Sequence, residues 1–149
     1  MVKLRYLGKR YQQFIDDLAE NNADVSNILI VLDGASSSEL NAVTSDISGA
    51  TNKTVQVTKG IDESKLTQLF AEGQDTREIL LFDEADALFG KRSEMKGPHD
   101  RYSKDELSGF LEAIEKYDDI VILASSRRRV LGSEFLAKVN VLILFPPFS

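Results

Sequence analysis

Apolar positions in this chain follow two rhythms. Between residues about 9 and 20, Tyr11, Phe14, Ile15 and Leu18 recur every three or four residues, the spacing of one helix face. Asn21-Asn22 ends that segment. From Ile28 to Leu32 the chain is instead continuously apolar, which predicts a strand over 27–32 buried on both faces. Similar runs return at Ile79 to Phe82, Ile120 to Ala124 and Val141 to Phe145, and Thr54 to Thr58 reads as a β-branched strand. Helical spacing reappears between them, at Leu40, Val43 and Ile47, at Leu66, Leu69 and Phe70, and at Leu107, Phe110, Leu111, Ile114 and Tyr117. A short helix is predicted around Ser133 to Lys138. Gly34 to Ser38 is a small-residue turn with a serine as helix N-cap. Residues about 90–102 are polar and broken by Gly97-Pro98, and Pro146-Pro147 stops the last strand.

One helix followed by five strands that alternate with helices predicts a single α/β domain over residues 1–149. Its sheet is expected to be five-stranded, mostly parallel and covered on both faces. Residues 1–24 are expected to be an N-terminal helical segment packed on that core. Ligands of such sheets bind beyond the carboxyl ends of the strands. That directs attention to the residues after Leu32, Phe82 and Ala124.

Composition narrows the chemistry. The 149 residues include 42% hydrophobic ones, enough for one sizeable core. A net charge of −6 argues against nucleic acid or an anionic membrane as the general partner. The absence of cysteine excludes disulfides, thiol catalysis and Cys-ligated zinc. A single histidine, His99, excludes a multi-histidine metal site within one chain. No apolar run approaches the length of a bilayer span and no leader-like segment opens the chain, so a cytoplasmic location is expected.

The candidate chemistry lies at three strand ends. Ile79-Leu80-Leu81-Phe82 delivers Asp83-Glu84, two acids at the end of a buried strand. Gly34-Ala35-Ser36-Ser37-Ser38-Glu39-Leu40-Asn41 follows Leu32, and Ser125-Ser126 follows Ala124, with Phe135-Leu136 beyond. This order and spacing resemble the AAA+ ATPase core. The stretch Leu81 to Tyr102, with Glu115-Lys116-Tyr117-Asp118-Asp119 and Phe145-Pro146-Pro147-Phe148, further resembles a bacterial AAA group associated with contractile injection systems. The resemblance implies a three-layer αβα, P-loop NTPase-like domain with strand order 5-1-4-3-2. It also implies ATP hydrolysis at the subunit interfaces of a ring, with ATP or ADP and Mg²⁺ as cofactors. Asp83 would serve Mg²⁺ through water, Glu84 would polarise the attacking water, and Ser126 would stand at the sensor asparagine position. Lys138 and Arg127-Arg128-Arg129 would face a neighbouring subunit. The partners implied are proteins, either further copies of the chain or an active AAA+ relative.

The chain departs from that pattern where phosphate should bind. A phosphate loop reads G-x-x-x-x-G-K-[ST]. Gly34 fits the first glycine, but Glu39, Leu40 and Asn41 replace the second glycine, the lysine and the hydroxyl residue. A carboxylate about 4 Å from phosphate charge is repelled by roughly 4 kcal/mol at an effective dielectric of about 20, against about 0.3–2 kcal/mol from the helix dipole. The segment 34–41 is thus a degenerate nucleotide loop. Lys138 stands where the family often has arginine, and the helical lid that the family carries after this point is not expected in this domain. The expected function is a structural or regulatory subunit with impaired ATP hydrolysis. The alternative is an ATP-binding protein or slow ATPase that uses Asp83 and Glu84 with a substitute cation, such as Lys53, Lys59 or a lysine of a neighbouring subunit. Asp33, Glu39, Asp83 and Glu84 form a further candidate, an acidic pocket for a divalent cation. The plainer readings are a solvated strand end at Asp83-Glu84, a simple capped turn at Gly34 to Ser38 and a solvated loop at Arg127 to Arg129.

Overall fold

The structure is a computed structural model that describes residues 1–21, 26–60, 63–85, 104–126 and 133–147. The elements run β1 (Val2–Arg5), α1 (Lys9–Glu20), β2 (Ile28–Asp33), α2 (Ser37–Thr51), β3 (Val55–Lys59), α3 (Glu63–Thr76), β4 (Ile79–Asp83), α4 (Lys104–Lys116), β5 (Ile120–Ser125), α5 (Ser133–Leu136) and β6 (Val141–Leu144). All strand pairs are parallel, in the order β1-β6-β2-β5-β4-β3.

This corrects the five-strand expectation. The sheet has six strands, and Val2–Arg5 adds an outer one beside β6, with Leu4 opposite Ile143. The segment 1–24 therefore begins as strand and only then becomes helix. Its signal was weak: Val2 and Leu4 alternate with Lys3 and Arg5 over just four residues.

The continuously apolar strands feed two cores, because successive side chains point to opposite faces. Ile30, Leu32, Leu81, Ile122 and Ile143 face one way and pack with Tyr11 and Leu18 of α1 and Val43 and Ile47 of α2. Leu29, Val31, Phe82, Leu123 and Leu142 face the other way, against Leu66 and Phe70 of α3 and Phe110 and Ile114 of α4. Each fully buried Leu, Ile or Phe contributes about 1.5–3 kcal/mol, so the central strands hold both layers. Phe70 stacks on Phe82 at 5.9 Å, and Phe110 meets Phe82 edge-on at 5.3 Å.

The first two helices are joined by a specific polar contact. The buried Tyr11 phenol donates to Asp46 Oδ2 at 2.7 Å. Burial, then the Asp46 carboxylate, raises its pKa far above the ordinary phenol value. At the opposite end of the sheet, Lys53 Nζ lies 2.5 Å from Asp119 Oδ2. Asp119 is only 1% exposed, and its second oxygen accepts from the Ile120 amide at 2.8 Å.

Candidate functional site

The carboxyl ends of β2, β5, β4 and β3 form one rim. Asp33 lies opposite Ser125, and Lys59 lies opposite Asp83. Asp33 and Ser125 are buried, Asp83 is half-buried, and Lys59 is exposed. The candidate residues at the ends of three separate strands are therefore brought to one edge.

The segment 34–41 has a geometry its sequence disguises. Gly34, at φ 88°, turns the chain out of β2. That left-handed value suits a residue without a Cβ. The amides of Gly34 and Ala35 both donate to the Ser125 carbonyl, at 2.9 and 3.0 Å. Ala35 then buries its methyl in the core on the α1/α2 face. Ser36 is the N-cap of α2. Its hydroxyl accepts from the Glu39 amide at 3.2 Å, while the Glu39 carboxylate accepts from the Ser36 amide at 2.9 Å. This reciprocal pair is a capping box. The Leu40 amide donates to the Ser36 carbonyl at 2.8 Å.

Helix α2 thus begins at Ser37, and Ser37, Ser38, Glu39, Leu40 and Asn41 are helical. Three residues, Gly34 to Ser36, separate strand from helix. The amides of Gly34, Ala35, Ser36, Glu39 and Leu40 all have partners inside the chain. The sequence signal for this is Ser36-x-x-Glu39, which the comparison of Glu39 with a phosphate-loop glycine or with an acidic pocket passes over.

At β4 the Asp83 carboxylate and the main chain around the acid pair are tied into the turn. Asp83 Oδ1 accepts from the Glu84 amide at 2.8 Å. The Asp83 carbonyl accepts from Gly60 at 2.7 Å, and Ala85 donates to the Ala124 carbonyl at 3.0 Å. These bonds hold Glu84 in a left-handed turn, φ 56°, with its side chain exposed. A glutamate there costs on the order of 1–3 kcal/mol, and the flanking bonds hold it in place. Ser126 follows β5 and is exposed.

Three of the candidate cations lie among the described residues. Lys59 stands on the rim beside Asp83. Lys53 is at the far end of the sheet, tied to Asp119, and that corrects its place among substitute phosphate ligands. Lys138 pairs with Glu115 of the same chain. Arg127, Arg128, Arg129 and His99 lie outside the described residues. Among the described residues no group of three or more His, Cys, Asp or Glu side chains is placed to hold a metal ion. This corrects the expected acidic pocket of Asp33, Glu39, Asp83 and Glu84.

Close to this corner, Tyr6 packs its ring 4.9 Å from Phe145 and 5.4 Å from Tyr11. Burial, then the carboxylates of Asp46 and Glu39, raise its phenol pKa.

The domain is thus a parallel sheet between two helical layers, with an acid pair ending β4 and a glycine turn ending β2. The model of the ATPase family associated with various cellular activities (AAA) matches residues 29–147, well over half of the chain.

The chain belongs to the AAA family.

A chain in the structure of the E. coli MS115-1 HORMA:CdnC:Trip13 complex shares the fold, with a TM-score of 0.60 at 13% identity. The match covers 91% of this AAA domain and 62% of that chain, so the domain spans about three-fifths of the length of its structural neighbour. A search of curated protein sequences gives no match. No helix among the described residues is long and apolar enough to cross a membrane.

Proposed function

We propose that this AAA domain has exchanged phosphate binding for a self-capped helix, and that it serves a protein assembly as a structural or regulatory subunit. One observation carries the reading: the Glu39 carboxylate sits on the Ser36 amide at the head of α2, where a phosphate loop offers bare backbone donors. The amides of Gly34 and Ala35 are turned to Ser125, which leaves those of Ser37 and Ser38 for an anion. Leu40 supplies no cation in their place. ATP with Mg²⁺ is what AAA domains ordinarily take, and these loop residues do not fit it. Asp83 and Glu84 then stand as a strand end inherited with the fold. Protein partners follow from the family, as second copies or as an active AAA relative. The structural neighbour, solved together with HORMA and CdnC, is in keeping with such a setting.

The test is calorimetric titration with ATP and ADP, each with and without Mg²⁺. No heat of binding is expected up to millimolar nucleotide, whereas micromolar affinity overturns the proposal.

A second reading has one observation in its favour. Lys59 lies opposite Asp83 at the rim, and on this reading it serves as the substitute cation of a slow ATPase or a nucleotide-binding switch. This reading predicts nucleotide-dependent thermal stabilisation that Lys59→Met abolishes. It further predicts that any phosphate release collapses in Glu84→Gln. Release unchanged by that substitution identifies a contaminating enzyme.

A further inference from the structure

The edge of the sheet formed by β1 combines features that a solvated surface does not need. It is the outermost strand, with β6 on one side and no strand on the other among the described residues. The Val2 amide donates to the Asn140 carbonyl and the Tyr6 amide to the Leu144 carbonyl, both at 2.9 Å. In a parallel pair, bonding to one neighbour uses alternate residues, so the main-chain groups of Lys3 point to the open edge.

Three large apolar side chains crowd this edge: Met1, Val2 and Leu7 are 58%, 44% and 73% exposed. Of the four exposed large hydrophobics among the described residues, only Val57 lies elsewhere. Charge is polarised in the same place. Lys3, Arg5, Lys9 and Arg10 are cations, and no acid occurs among the first ten residues of a chain whose net charge is −6.

The start of α1 runs against its own helix dipole. Lys9 and Arg10 occupy its first turn, no acid stands there, and the N-cap Gly8 offers no side-chain bond. Cations at a helix N-terminus destabilise, and a glycine cap is slightly weaker than a serine one. Leu7, just before, is left-handed at φ 63°. Local costs gathered at one exposed spot mark a surface shaped by something other than folding.

We infer that the β1 edge, with Lys3, Lys9, Arg10 and the apolar Met1, Val2 and Leu7, takes an acidic, extended segment of a partner protein as an added strand. Main-chain bonds to the open side of β1 supply the pairing, and alternate apolar side chains of the incoming strand cover Val2. Its carboxylates meet the lysines and the head of α1, where helix dipole and side-chain charge have the same sign. A second copy of this chain does not fit. Its β1 would set Lys3 and Arg5 against their own counterparts, and like charges directly opposite repel. The other open edge, β3, contains no acid and ends in Lys59. This inference is independent of whether nucleotide binds.

The test uses the whole chain and a fluorescent peptide of about ten residues alternating aspartate with valine, a typical strand length. Three controls accompany it: the same peptide with lysine for aspartate, a version N-methylated at alternate residues, and vesicles rich in phosphatidylserine. Saturable binding of the acidic peptide alone is expected, lost on N-methylation. The double variant Lys9→Glu/Arg10→Glu is expected to bind at least about tenfold more weakly while its melting temperature rises, because acids favour a helix N-terminus. The opposite signs separate lost binding from lost folding. Lys3→Glu weakens binding in the same direction. The inference is overturned by absence of peptide binding, by binding indifferent to N-methylation or to the charge reversals, or by vesicle binding without peptide binding.

Discussion

Ser36 and Glu39 bond each other twice, hydroxyl to amide and carboxylate to amide, at 3.2 and 2.9 Å. Replacing Ser36 by alanine leaves the Glu39 amide without its cap. A loss of about 1 kcal/mol is expected in urea unfolding, within the range for N-cap serines. The same substitution has no effect on nucleotide affinity if the domain binds none.

Restoring the loop probes the same relationship from the other side. Glu39→Gly, Leu40→Lys and Asn41→Thr together remove the capping carboxylate and return the residues a phosphate loop requires. Nucleotide binding is expected to appear, read as a thermal shift. A ligand at about 100 times its dissociation constant stabilises by roughly 2.7 kcal/mol. If no shift appears, the barrier lies in how Gly34 and Ala35 are held on Ser125 rather than in the side chains.

The base of the sheet predicts an asymmetry. Lys53 is 18% exposed and Asp119 only 1%. Lys53→Met strands a buried carboxylate and is expected to cost about 3–5 kcal/mol. Asp119→Asn keeps an acceptor for the Ile120 amide and for Lys53 and should cost less. Urea midpoints of the two variants rank them, and the reverse ranking refutes the account.

Alkaline stability should depend on Tyr11. Its pKa is raised in the folded protein, by burial and then by Asp46, so the folded state holds the phenolic proton more tightly than the unfolded one. The associated stability is complete below the unfolded phenol pKa, about 10, and falls as pH rises above it. Tyr11→Phe removes this contribution, so its stability should fall less steeply above that pH. Tyr6 and Tyr117 shift the same way and leave a residual slope. Denaturant midpoints across alkaline pH measure the difference.

Three helical glycines separate space from propensity. A methyl at Gly73 would lie 2.6 Å from the Tyr117 hydroxyl and 2.9 Å from Leu80 Cδ2, whereas one at Gly49 or Gly109 meets nothing within 4 Å. Gly73→Ala is expected to lose about 1–3 kcal/mol through overpacking. Gly49→Ala should gain about 0.5–1 kcal/mol from helix propensity and chain entropy. Melting temperatures that move the same way for both would contradict this.

The architecture was legible because the buried strands are apolar without a break, and that signal depends on no partner residue. Val2–Arg5 escaped it because four residues at an open edge bury one side chain, Leu4. The acid pair at Asp83-Glu84 was legible as a strand end. Its inward bonds to Glu84 and Gly60 were not, since they depend on backbone direction rather than residue type. Glu39 illustrates the limit most clearly. Aligned to a phosphate loop it is a lost glycine, and aligned to a helix start it is one half of a cap. Lys53 was misplaced for a related reason: only its distance from the rim, set by Asp119, shows that it belongs to the other end.

Ile28 of β2 lies opposite Ile120, and Ile30 lies opposite Val141. During synthesis the central strand therefore leaves the ribosome long before either of its neighbours exists. Until β5 and then β6 arrive, its main-chain amides and carbonyls stand unpaired at both edges, and α1 and α2 can shield only one of its apolar faces. Such a nascent chain is a natural client for a holdase, and its yield should depend more on the pace of translation than on the strength of the finished fold.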